Sequence, residues 1–380
     1  MNLFDTNVDR TASHCEKWDK YKGQDVIPMW VADMDFKSPQ CIIDALHARV
    51  EHGVFGYTSV NDETNNAVID FVKRHYDWKI EPEWIVWLPG VVSGMNIACK
   101  AIETEEIIVT TPVYPHFIKA PQNANKPVIK VPMREKDNRW TIDFDEFESM
   151  ITPTCKLFMF CNPYNPGGTV FTKEELEKIS DICIKHDLFI CSDEIHADLI
   201  LNPTARHIPI ASLNEEIAKR SITLLAPSKT FNMAGLQSSI AVIPDSHVRD
   251  NFKHTIGNMS SGINVLAITA TRVAYTSCDA WLEKLKEYLR ENLELVQAFV
   301  KKYPKLKLLS QDATFLAWID VSQLKLENPY EFFLDNGVGL TSGEGFGDKN
   351  FVRLNFGTRK ELLKEGLARM AKVLDTHELR

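Results

Sequence analysis

From Trp84 to Ile243 the chain alternates short apolar or β-branched runs with longer stretches in which apolar residues recur every third or fourth position. That rhythm predicts strands and helices in turn, an α/β layer structure. The predicted strands are Trp84 to Leu88, Glu106 to Thr110, Val128 to Val131, Lys156 to Cys161, Leu188 to Ser192, Ile222 to Leu225 and Ser239 to Ile243. Several are apolar at almost every position, as strands covered on both faces are. Between the strands ending at Cys161 and Ser192, Thr172 and Glu175 have the spacing of a capping box. Leu176, Ile179, Ile182 and Cys183 continue from it as one helical face. Near the N-terminus, Ser38 and Pro39 predict the cap and first position of another helix, with Ile42, Ile43, Leu46 and Val50 on one face and Gly53 past its end.

Beyond the alternating region a long helical pattern covers about 279–302 through Trp281, Leu285, Leu289, Leu293 and Val296. The texture then changes: Phe315 to Val321 and Phe351 to Asn355 predict strands, and Arg359 to Leu374 a final helix. The expected organisation is an N-terminal arm over 1–38, a large domain over 39–278 with a mainly parallel sheet flanked by helices, and a smaller α+β domain over 279–380. The long helix is the expected hinge. Neither a repeat nor a low-complexity tract interrupts this order.

Composition narrows the function. The 380 residues carry 43 Lys and Arg against 52 Asp and Glu, a net charge of -9. Proteins whose main work is gripping a nucleic-acid backbone show the opposite balance or a basic stripe, so nucleic acid is not an expected partner. No apolar run approaches the roughly 18 residues of a membrane span. The start, Met1 to Asp5, has no basic and apolar signal pattern, so a cytoplasmic address is expected. The eight cysteines form no CxxC pair and mostly sit in apolar segments. They are expected to be reduced packing residues, with neither a disulfide framework nor a metal site behind them.

Four segments carry the chemistry. Asn162-Pro163-Tyr164-Asn165-Pro166-Gly167-Gly168 and Ser192-Asp193-Glu194-Ile195-His196 each follow a predicted strand, where α/β sheets bind ligands. Ser228-Lys229-Thr230-Phe231-Asn232 places a lysine after a strand and a proline-bearing turn, and Phe351-Val352-Arg353-Leu354-Asn355 sets an arginine in an apolar strand. Alone, each reads as a turn, a solvated strand end, a surface lysine or a structural arginine. Together they describe a pyridoxal phosphate site, which needs a lysine for a Schiff base, a carboxylate beside the pyridine nitrogen and a donor to the phenolic oxygen.

On these residues the chain resembles a fold-type I pyridoxal phosphate enzyme of the aminotransferase class I/II superfamily, in its cystathionine β-lyase (carbon-sulfur lyase) branch. The branch likeness lies in Met29 to Phe36, Phe55-Gly56-Tyr57-Thr58, Pro89-Gly90-Val91-Val92, Pro112-Val113-Tyr114 with Phe117, Asp193 to His196 with Asp198-Leu199, and Ala226 to Asn232 with Ala234-Gly235-Leu236. The resemblance implies that Lys229 bears the cofactor and removes the substrate Cα proton. It also implies that Asp193 pairs with the pyridinium, that Asn165 and His196 address the phenolic oxygen, and that Tyr114 stacks on the ring. The phosphate falls to the amides of Val91 and Val92, to Ser228 and, across a homodimer boundary, to Tyr57. Arg353 clamps the substrate carboxylate beside Ala32.

The sequence departs from the superfamily pattern in places. Gln237 stands where many aminotransferases have an arginine on the phosphate, and Ala226 where serine is common, so a less cationic phosphate site is expected. Tyr164 stands where this branch often has histidine and Gly167 where a bulkier residue is common, departures that bear on the substrate end of the resemblance more than on its cofactor end. The implied reaction is α,β-elimination of cystathionine or cysteine-type sulfur amino acids to a thiol, pyruvate and ammonia, with Tyr57 or Tyr114 near the leaving group. Transamination by a class I/II aminotransferase is the alternative. A cofactor-binding regulatory domain is a third reading, disfavoured because the intact lysine, acid and arginine set points to chemistry.

Overall fold

The computed structural model describes residues 2–11, 13–257 and 262–378. Its central feature is an eight-stranded sheet of strands β1 (Ile85–Leu88), β2 (Glu106–Thr111), β3 (Val128–Lys136), β4 (Arg139–Ile142), β5 (Cys155–Cys161), β6 (Phe189–Asp193), β7 (Ser221–Leu225) and β8 (Ser239–Val242). The spatial order is β1-β8-β7-β6-β5-β2-β3-β4. Strands β7, β6, β5, β2 and β3 run parallel, while β8 and β4 pair antiparallel at the two sides. Strand β1 is antiparallel to β8 and so points with the parallel block. The continuous apolar runs have their cause here: Ile107, Ile108, Val109, Leu157, Phe158, Ile190 and Ile222 are all fully buried between helix layers.

The carboxyl ends of β1, β2, β5, β6 and β7 therefore share one edge of the sheet. Each predicted chemistry-bearing loop of this region leaves from that edge. The helix Val91–Ala101 follows β1, and the helix Lys173–Lys185, with its Thr172 and Glu175 capping box, returns the chain from β5 to β6.

A second, antiparallel sheet is built from Lys307–Leu308, Leu316–Asp320, Phe351–Asn355 and Thr341–Ser342, in that order. The helix Asp279–Lys302 follows the expected pattern from end to end. Its buried Asn292 donates to the carbonyls of Phe356 and Thr358, fixing it to the end of that sheet. The N-terminal arm joins the same half, because Ile27–Pro28 pairs in parallel with Val338–Gly339.

Three local expectations are corrected. The third strand does not stop at Val131 but continues to Lys136 and turns back as β4, which had been missed. Asp137 and Asn138 both take positive φ, +51° and +58°, the requirement of a tight hairpin turn that the charged run around them obscures. Ser38 does not cap the helix Gln40–Glu51: the N-cap is Pro39, without a side-chain bond, and the Ser38 hydroxyl donates instead to the Asn232 carbonyl at 3.0 Å. The last helix covers Lys360–Glu378 and so starts after Arg359. All eight cysteines are free thiols, seven buried and Cys41 half-buried. Among the described residues no helix is long and apolar enough to cross a membrane.

Candidate active site

A cavity of about 460 Å³ opens at the carboxyl edge of the large sheet and is closed by the arm and the second sheet. Lys229, Asp193, Asn165, His196, Tyr114, Val91, Val92, Ser228, Ala32 and Arg353 all line it. These residues come from seven separate places in the chain, and the strand ends and the arm bring them together.

Asp193 closes β6, and its carboxylate accepts the Ile195 amide at 3.1 Å. Burial pushes its pKa up to about 7, with the negative Glu194 adding to the shift while the Ile195 amide and Lys229 oppose it. A buried acid this reluctant to ionise requires a cation beside it. His196 is buried with its Nδ1 unpartnered, and burial, reinforced by the charges of Lys229 and Arg353, drives its pKa down to about 3. It is a neutral imidazole in this site.

Lys229 belongs to the short helical turn Pro227–Thr230, entered from β7 through Ala226. Its Nζ donates to the Ala32 carbonyl at 2.6 Å. Burial lowers its pKa to about 8, with Arg353 pushing the same way and Asp33 and Asp193 pushing back. The amine is thus kept near the point where it sheds its proton.

Arg353 projects from the central strand of the second sheet and is only 4% exposed. Its Nη1 donates to Asn165 Oδ1 at 3.0 Å, its Nη2 lies 3.4 Å from the Trp30 carbonyl, and Nε has no partner. The guanidinium also stacks on Phe346, 4.7 Å from the ring centroid. Burial lowers its pKa to about 10, so it remains charged. Among the described residues it forms no ion pair, and a buried, uncompensated planar cation fits an anion with two oxygens.

Val91 and Val92 open the helix Val91–Ala101, whose N-cap, Gly90, supplies no side-chain acceptor. Both residues line the cavity at a helix start that has no capping side chain, an arrangement that favours an anion. Tyr114 is half-buried, and burial together with Asp193 raises its phenol's pKa.

Tyr57 is not brought to this cavity. It is fully exposed, in the irregular stretch before the helix Asp62–Tyr76, and lines an open hollow of about 730 Å³ that shares Pro89 and Gln237 with the first. Tyr164 and Gly167, the two departures in the asparagine loop, pack against each other. Tyr164 is fully buried outside the cavity lining, with its hydroxyl donating to the Pro112 carbonyl. A Cβ on Gly167 would stand 2.3 Å from Trp140 and 2.7 Å from the Tyr164 ring, so the two departures are a matched pair of packing changes.

Sequence reasoning missed the residues that hold the arm over the cavity. Asn355 donates to the carbonyls of Val31 and Asp33, and Asn232 donates to those of Met34 and Phe36. Both lie in segments already singled out, but an amide that binds backbone leaves no periodic signal. The arm's own charges, Arg10 and Lys17 on Asp33 and Asp35, form a partly buried ion-pair cluster just outside the site.

The residues present fit pyridoxal 5′-phosphate. The buried Asp193 carboxyl, the neutral His196 imidazole, the amine of lowered proton affinity and the uncapped helix start answer its ring nitrogen, phenolic oxygen, aldehyde and phosphate respectively. The comparisons with known proteins agree. The family model for aminotransferase class I and II matches residues 24–370. The cystathionine beta-lyase PatB of Bacillus subtilis (strain 168) is 37% identical over 98% of this chain and 99% of that protein. The solved structure of OvoB superposes with a TM-score of 0.96 at 43% identity over 98% of each chain. Cystalysin from Treponema denticola, solved with pyridoxal 5′-phosphate, superposes at 0.94 and 33% identity over the whole of both chains. The chain belongs to the aminotransferase class I and II family, fold-type I enzymes whose cofactor is pyridoxal 5′-phosphate.

Proposed function

We propose that this chain is a carbon-sulfur β-lyase that converts cystathionine or cysteine-type sulfur amino acids to a thiol, pyruvate and ammonia. The observation that carries the reading is the pairing of a buried, ion-pair-free Arg353 with a near-neutral Lys229 in one cavity, in a chain 37% identical to a cystathionine β-lyase. When bound, the cofactor supplies an electron sink that makes a substrate Cα–H bond acidic.

The chain's own residues do the rest. Arg353 binds the substrate α-carboxylate through its two Nη groups and so fixes which bond at Cα faces the cavity. Lys229 Nζ holds the cofactor in the resting enzyme and, once released, takes the Cα proton, a role suited to an amine whose proton affinity burial has lowered. Asp193 pairs with the ring nitrogen. His196 and the Nδ2 end of Asn165 address the phenolic oxygen, since Asn165 Oδ1 is taken by Arg353. Tyr114 covers one ring face. The amides of Val91 and Val92 with the Ser228 hydroxyl take the phosphate, and Ala32 borders the substrate carboxylate.

The same reading divides the chain at 38 and 278 and makes the protein a cytoplasmic homodimer. Exposed Val54, Phe55 and Tyr57 form an apolar stretch that a second copy would cover, with Tyr57 reaching the neighbouring cofactor's phosphate and standing near the leaving group. The test is to give the purified holoenzyme cystathionine, cysteine or cystine and measure pyruvate, against amino transfer to a 2-oxo acid. Rapid pyruvate release is expected. Brisk transamination without pyruvate would replace the lyase reading with that of an aminotransferase.

A further inference from the structure

Asp198 follows His196 on the loop that leaves β6, yet it takes no part in the cavity lining. The residue is buried, 8% exposed. Oδ2 accepts the Thr230 hydroxyl at 2.6 Å, and Oδ1 accepts the Tyr76 phenol. Burial and the charge of Asp198 push the Tyr76 phenol well above its usual range, so it stays a donor. A carboxylate is acceptor-only, and both hydroxyls must therefore point at it.

Thr230 is fully buried and comes directly after Lys229, at the end of the turn Pro227–Thr230. Threonine is stiff at χ1, so a fixed hydroxyl fixes the Cα–Cβ direction and with it the backbone that carries Lys229. On the other side of the turn, Asn232 is tied to the arm through the carbonyls of Met34 and Phe36. The lysine turn is thus anchored to the arm at Asn232 and to the Asp193 loop at Thr230.

We propose that Asp198 is a positioning residue of the active site: by holding Thr230 against Tyr76 it fixes the reach of Lys229 Nζ relative to Asp193. This rests on Lys229 being the cofactor-bearing lysine. Three consequences follow for the holoenzyme. Thr230→Val, which removes the donor at nearly constant volume, lowers kcat at least tenfold while KM stays within about twofold, because Arg353 still binds the substrate; a displacement on the order of 1 Å costs that much or more. Thr230→Ser, which keeps the donor, restores kcat. Asp198→Asn combined with Thr230→Val loses less than the product of the two single losses, since the carboxylate and the Thr230 hydroxyl act through one shared hydrogen bond.

The readout besides turnover is the pH midpoint of the visible absorbance of the Lys229-linked cofactor, expected to shift by about half a unit or more in Thr230→Val and to return in Thr230→Ser. Wild-type kcat and midpoint in Thr230→Val, or losses that multiply in the double variant, overturn the role of Asp198. A wild-type protein that shows no visible band and no pyruvate overturns the function proposed above instead, so the two failures are distinguishable. Should Asp198→Asn not fold, the two Thr230 variants decide the matter.

Discussion

Arg353 Nη1 and Asn165 Oδ1 meet at 3.0 Å, joining the second sheet to the loop at the end of β5 across the cavity. The guanidinium is buried there and forms no ion pair among the described residues, so it is held ready for an anion from outside. Arg353→Ala should lower kcat/KM roughly 100-fold, about 2.7 kcal/mol, mostly through KM. Arg353→Lys should recover only part of that loss, because an ammonium cannot present two parallel donors. Steady-state kinetics with and without a substrate α-carboxylate check this. Equal kcat/KM in all three proteins would remove Arg353 from the substrate site.

Lys229 donates to the Ala32 carbonyl and has a lowered proton affinity. The purified protein should be yellow, and borohydride should fix the cofactor to Lys229 in a form that peptide mass analysis locates. Lys229→Ala should retain the arm and the fold but lose that label and nearly all turnover, on the order of a thousandfold or more. A label found at another lysine would disprove the assignment.

In the cofactor-stripped protein Asp193 and His196 titrate in opposition. Asp193 keeps its proton up to about pH 7 when folded but loses it near 3.9 when unfolded. Its share of stability is therefore greatest at low pH and is lost as pH rises through 7. His196 stays neutral down to about pH 3 when folded but is charged below about 6.5 when unfolded. Its share is present above 6.5 and is lost as pH falls. Between about pH 4 and 6.5 the two slopes cancel, at about 1.4 kcal/mol per pH unit each. Asp193→Asn should uncover the histidine: from pH 6.5 to 4.5 it should lose about 2–3 kcal/mol more than wild type in urea unfolding. Parallel curves for the two proteins would contradict the raised Asp193.

Gly167 has no room for a side chain against Trp140 and Tyr164. Gly167→Ala should destabilise the protein by about 1–3 kcal/mol. Because Tyr164 lies outside the cavity, KM should stay within about twofold of wild type. Thermal melts and kinetics on one preparation measure both; a changed KM at unchanged stability would return Gly167 to the substrate end.

Tyr57 can be tested by mixing subunits. If it serves the neighbouring site, Tyr57→Ala and Lys229→Ala chains refolded together in equal amounts form mixed dimers with one complete site each. About a quarter of wild-type activity should then reappear by random pairing in a two-fold dimer. If Tyr57 serves its own chain, no mixed dimer contains a complete site and nothing is recovered.

The parts of this protein that obey a period or a compact motif were legible in its sequence. The apolar runs of β2, β5 and β6 marked themselves as strands covered on both faces, and Thr172 with Glu175 announced their helix. Asp193, Lys229 and Arg353 were legible as chemistry because charged residues are rare in such surroundings. What stayed hidden depends on contacts between distant segments. The link from Asp198 to Thr230, and the amide bonds of Asn232 and Asn355 to the arm, join residues 32 to 324 positions apart and leave no local pattern. The β4 hairpin was hidden for a different reason: β3 ends in the exposed, charged run Arg134, Glu135 and Lys136, β4 is only four residues long, and two left-handed residues, Asp137 and Asn138, replace the glycine that usually marks such a turn.

The parallel pairing of Ile27–Pro28 with Val338–Gly339, continued by the bond from the Asn355 amide to the Met29 carbonyl, welds the arm to the sheet that carries Arg353. Because Met34 and Phe36 of the same arm are bonded to Asn232 beside the lysine turn, the arm is a strap fastened to both halves of the molecule. The spacing between Arg353 and Lys229 is therefore set by one continuous segment of backbone, and a change in the arm would disturb the carboxylate clamp and the amine together.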